Sequence, residues 1–125
     1  MSRSTDDEEG VGASTRAVVL IRSDPEESHR PGEAIRIALG LAAGEHRVEV
    51  ILTGKSPLLL TPELEDLVDG EMTEKFLTTL REYVDTFYVE AGNSTDLSES
   101  DYPTAILSGE EVAKKMAAAR RFLIF

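Results

Sequence analysis

The chain has 125 residues, 41 % of them hydrophobic, and a net charge of -11 from 13 lysines and arginines against 24 aspartates and glutamates; it contains no cysteine. That balance repels nucleic acid backbones and anionic membranes, so neither is expected as a partner. The absence of thiols excludes disulfides, thiolate metal sites and cysteine nucleophiles, and the length suits one domain whose core needs no staple.

Residues 1–15 are small, polar and acidic, with Asp6, Asp7, Glu8 and Glu9 in succession. Such a stretch cannot bury enough apolar surface to order itself, so a disordered acidic tail is expected there, followed by a single domain over residues 16–125. The start carries no hydrophobic signal region, and no apolar run approaches the roughly 20 residues of a membrane-spanning helix. A cytoplasmic protein is the expectation.

Residues 17–54 read AVVLIRSDPEESHRPGEAIRIALGLAAGEHRVEVILTG. An apolar run, a loop, a helical period, a turn and a second apolar run are the pattern of a βαβ unit. Ala17, Val18, Val19, Leu20 and Ile21 do not alternate with polar residues, which predicts a strand over 17–22 covered on both faces. Pro25 cannot extend a central strand, and Pro31 suits a helix start. The helix is expected over 32–43, with Ile35, Ala38, Leu39 and Ala42 on one stripe and Ile37 and Leu41 on a second. Gly44 is its stop, and Val48, Val50, Ile51 and Leu52 predict the second strand over 47–53.

Leu58, Leu59 and Leu60 follow as core or interface. Thr61-Pro62-Glu63 reads as a capped helix start, with Gly70 as that helix's end. Met72, Phe76, Leu77, Leu80, Tyr83 and Val84 keep helical spacing and predict a helix over 72–84. Strands are expected over 86–90, 104–107 and 121–125. The polar loop EAGNSTDLSESDY separates the first two, and a helix opened by the capping box Ser108-Gly109-Glu110-Glu111 separates the last two. Strands alternating with helices predict an α/β fold with a mainly parallel sheet.

Ligands of open α/β sheets bind beyond the carboxyl ends of the strands. The candidate ligand-binding residues there are Ser23, Asp24, Glu90 and Asn93, with His29 and Arg30 on the flanking loop. Thr53-Gly54-Lys55-Ser56 resembles the end of a phosphate-binding loop, but Glu49 occupies the position of its first glycine. No Gly-x-Gly-x-x-Gly occurs. His29 and His46 lie at opposite ends of a helix and should not share a metal, so neither a metal nor a cofactor is expected. No serine has a base that spacing identifies, so no catalytic residue is assigned.

The opening strand with its Ser-Asp-Pro loop, the helix GEAIRIALGLA, the strand VEVILTG followed by leucines, and the ending ILSGEEVAKKMAAARRFLIF together resemble the DsrE/DsrF-like family over residues 16–125. The resemblance implies a three-layer α/β/α domain with a five-stranded, mainly parallel sheet, flavodoxin-like in general form. It implies association as homo-oligomers or with related DsrE-like subunits. Well-known members relay sulfur as a cysteine persulfide, with the cysteine after the third strand. Val89-Glu90-Ala91-Gly92 stands in that region here, and a carboxylate cannot replace a thiolate in sulfur exchange. The expectation is therefore a non-catalytic, oligomeric binding or scaffold subunit that cannot itself transfer sulfur. The alternatives are a domain binding a small ligand or anion, and an enzyme using Ser23, Asp24, His29, Arg30 and Glu90.

Overall fold

The first apolar run becomes strand β1 (Arg16–Ile21), flanked on both sides by parallel neighbours. A computed structural model describes residues 16–125; the tail expected over residues 1–15 lies outside them. The further elements are α1 (Arg30–Ala43), β2 (Arg47–Leu52), α2 (Gly70–Leu80), β3 (Phe87–Glu90), β4 (Thr104–Leu107), α3 (Gly109–Ala118) and β5 (Arg121–Ile124). The five strands form one sheet in the order β4-β3-β2-β1-β5, and every neighbouring pair is parallel.

Strand parity divides the core between two faces. Val19, Ile21, Val50, Leu52, Phe87 and Val89 face one way, against Ala34, Ile35, Ala38 and Ala42 of α1 and Leu77 and Leu80 of α2. Val18, Ile51 and Leu107 face the other way, against Val112 of α3. The layers follow from chain direction. The chain steps outward from β1 to β4, then returns across the sheet to β5. With one handedness of crossover, reversing direction changes the face that the connecting helix covers. The result is two helices on the first face and one on the second.

The connection from β3 to β4 contains no helix. Leu97 and Tyr102 of this loop pack on the first-face core, and the Tyr102 ring meets Phe87 edge-on with centroids 5.6 Å apart. A loop that reads as polar thus supplies two core anchors where a helix would otherwise lie.

Residues 56–70 depart from the sequence reading. Ser56–Leu60 and Pro62–Asp66 are two short 3-10 helices. Thr61 caps neither, since its hydroxyl donates back to the Leu58 carbonyl at 2.7 Å. Gly70 does not end a helix; it is the first residue of α2, pressed on the Leu64 carbonyl so closely that a Cβ would collide with it. Leu59 and Leu60 are buried in the first-face core. Helix α2 ends at Leu80, so Tyr83 falls beyond its stripe, and both Tyr83 and Met72 are exposed. No helix among the described residues is long and apolar enough to cross a membrane.

Candidate functional site

At the carboxyl end of β1 the backbone N–H groups of Arg22 and Ser23 donate to the Phe125 carbonyl at 2.9 and 3.2 Å. The Ser23 hydroxyl reaches the same oxygen at 3.3 Å. Asp24 turns the loop: its Oδ1 accepts the Glu26 N–H at 2.8 Å, and its carbonyl accepts from Glu27 and Ser28. Its Oδ2 lies 3.8 Å from Lys55 Nζ, which is equally far from Glu26 Oε1. These pairs are at the surface, where such an interaction contributes about 0–1 kcal/mol.

Lys55 belongs to the turn after β2. Gly54 opens it with φ +62°, a left-handed conformation that favours glycine, and an added Cβ would sit 3.0 Å from the Arg22 carbonyl. Ser56 fastens the turn from below: its buried hydroxyl lies 2.8 Å from both the Ile21 and the Thr53 carbonyl oxygens. Asn93 reaches the turn from the β3 side, its Nδ2 donating to the Gly54 carbonyl at 2.7 Å while its Oδ1 accepts the Thr95 N–H at 3.0 Å. Asp24 and Asn93 therefore touch the same turn from opposite sides, since β2 lies between β1 and β3.

The other candidates diverge. Arg30 donates to the Ile124 carbonyl at 3.5 Å and stands over the Phe125 ring, 5.7 Å from its centroid. It turns to the end of β5 rather than to Glu26 or Glu27. Glu90 is half-buried beside Gly109, the first residue of α3; its Oε2 lies 3.6 Å from where a Gly109 Cβ would be. A carboxylate there complements the positive end of the helix. His29 precedes α1 and makes no capping bond. It lines a 120 Å³ cleft with Asp69, Met72 and Phe76, between the first turns of α1 and α2.

The arrangement locks three loop ends together and spends most of the candidate polar atoms in doing so. The role these contacts show is positional: they fix the loops.

No family model matches this chain, and no curated protein matches it in sequence. Its structure does find a counterpart: the YchN protein of Escherichia coli, solved by crystallography, at a TM-score of 0.67 and 16 % identity, with 89 % of this chain and 99 % of that chain covered. YchN is a DsrE-like fold protein. The chain has a DsrE-like fold. At this identity the likeness is one of architecture.

Glu90 ends β3 and Ala91 follows it, and the chain contains no cysteine. A larger cleft opens at the opposite end of the sheet, among the residues that enter β1, β2 and β3. It lies away from the carboxyl-end residues singled out in the sequence. Its signal was nevertheless legible, because Arg47 and Glu49 two positions apart at a strand start must share one face.

Proposed function

We propose that this chain is a non-catalytic, oligomeric subunit of DsrE-like type, a binding or scaffold component that cannot carry a persulfide. The observation behind the reading is uncovered apolar surface. Helix α3 has 10 residues and, among the described residues, is the one α-helix on the second face of a five-stranded sheet. Phe122 is left 53 % and Ile124 42 % exposed. Register places Phe122 beside Val18 and Ile124 beside half-buried Leu20, so the exposed groups are continuous with the second-face core.

The occupant we propose is a second copy of this chain. β5 is an edge strand, with one side of its backbone open to pairing. Arg120 and Arg121 put positive charge beside this edge in a chain of net charge -11. The family resemblance, with its homo-oligomers and related subunits, supports the same reading. The proposed setting is the cytoplasm, where a cysteine-free chain forgoes no disulfide.

The enzymatic alternative has less support, because Ser23, Asp24 and Asn93 are engaged with Phe125, Lys55 and Gly54. Native mass spectrometry and sedimentation at micromolar concentration test the proposal. A symmetric oligomer is expected; a monomer throughout would reject it.

A further inference from the structure

The cleft at the amino ends of the strands has a structural origin in the register. β2 pairs with β1 from Arg47 onward, but its ladder with β3 begins only at Val50 opposite Phe87. Arg47, Val48 and Glu49 thus have a strand neighbour on one side alone, and the sheet parts between them and residues 85–86. The gap measures about 430 Å³, within the roughly 300–1,000 Å³ of small-molecule sites.

Its lining carries both signs of charge. Arg16, Arg47, His46, Glu49 and Asp85 border it, together with Tyr83, Tyr88 and the apolar Ala42, Val48 and Val84. Arg16 and Arg47 are register partners, which sets their side chains next to each other on one face. The ion pairs among the described residues are Arg36–Glu33, Lys55–Asp24, Lys55–Glu26 and Lys115–Glu49. Arg16, Arg47 and Asp85 take part in none of these, although they border one cavity.

Glu49 adds an independent sign. Its Oε2 pairs with Lys115 Nζ at 2.9 Å, and Lys115 also stands over the Tyr88 ring at 4.6 Å. Its Oε1 is buried without any hydrogen-bond partner among the described residues. A buried carboxylate oxygen left unpaired is costly, and native structures rarely keep one without a reason.

We propose that this cleft binds a small zwitterion of the α-amino-acid class. Its carboxylate lies against Arg16 and Arg47, which can each give two parallel hydrogen bonds. Its ammonium faces the carboxylates of Glu49 and Asp85. Its apolar side chain enters the gap between β2 and β3, toward Ala42, Val48 and Val84 of the first-face core. A purely anionic ligand would meet Glu49 and Asp85 as repulsive neighbours, and a purely cationic one would meet the arginines.

Three probes separate these cases: L-phenylalanine, 3-phenylpropanoate, which lacks the ammonium, and 2-phenylethylamine, which lacks the carboxylate. Each is titrated into the full chain at millimolar concentration while backbone amide resonances are followed by NMR. The expected result is that L-phenylalanine shifts the amides of residues 46–49 and 85–86 and binds at least tenfold more tightly than either analogue. Arg47→Gln and Glu49→Gln should each weaken it about tenfold, with amide shifts in each variant confined to the cleft and, for Glu49→Gln, to the surroundings of its ion-pair partner Lys115. Equal affinity for the three probes, or no shift at those amides with L-phenylalanine, overturns the proposal.

Discussion

Ser108 and Glu111 set the start of α3 through reciprocal bonds. The Ser108 N–H donates to Glu111 Oε1 at 2.8 Å, and the Ser108 hydroxyl accepts the Glu111 N–H at 3.1 Å. The bond from the Ser108 N–H and then the Ser108 hydroxyl hold the Glu111 carboxyl below its ordinary value of 4.5; desolvation opposes them, and Lys114 and Lys115 add lesser lowering effects. A carboxyl whose pKa is lowered by folding stabilises the fold above its unfolded value. That contribution fades as pH falls through the lower, folded value. Glu111→Gln keeps an acceptor but not the charge, so it should lower the melting temperature at pH 7. The difference from wild type should shrink toward zero as the pH drops below the folded value. Ser108→Ala removes the cap itself and should cost about 1 kcal/mol in denaturant unfolding at neutral pH.

Among the elements, the segment joining β2 to α2 carries the clearest mechanical consequences. Two 3-10 turns rather than one α-helix let Leu59 and Leu60 both enter the core within a few residues, because three residues per turn aims neighbours differently from 3.6. Leu59→Ala should therefore cost about 2–5 kcal/mol, the range for a buried leucine that leaves a cavity. It should not change the mass of the assembly, since Leu59 is a core residue and no part of an exposed surface. Gly70→Ala drives a methyl group into the Leu64 carbonyl. Overpacking of that kind costs about 1–3 kcal/mol, and thermal unfolding of Gly70→Ala against the exposed-site control Glu71→Ala measures it.

For the whole molecule, the imbalance between faces governs behaviour. The first face has two helices and an anchored loop, and its core residues are nearly all closed to water. The second has one helix, and the interior thins toward β5. Phe122→Glu places a charge on a half-exposed position, where the isolated fold should change by about 0.5 kcal/mol or less. In an assembly joined at β5, the same charge would be buried without a partner and would dissociate it. Wild-type melting temperature should therefore rise with protein concentration, as association linked to folding requires, while that of Phe122→Glu should not. A melting temperature independent of concentration in both would argue against assembly at this strand.

Periodicity determined the order and type of the main elements. A run such as residues 17–21 has no polar alternation to place at a water-facing surface, and the capping box at Ser108 is a local hydrogen-bond pattern that needs no distant residue. The parallel sheet follows from the alternation of strands and helices, whereas the DsrE-like architecture was implied by the family resemblance. Residues 56–70 were misread because proline and glycine punctuate either end of a helix, and only packing on the Leu64 carbonyl decides that Gly70 begins one. Strand order belonged to the tertiary structure alone. It put β2 between β1 and β3, so that the Gly54–Lys55 turn occupies the space between Asp24 and Asn93. It also let the β2–β3 ladder begin late, which opened the cleft beside Arg47 and Glu49. Register and strand neighbours are contacts between residues far apart in the chain, and no window of sequence contains both partners.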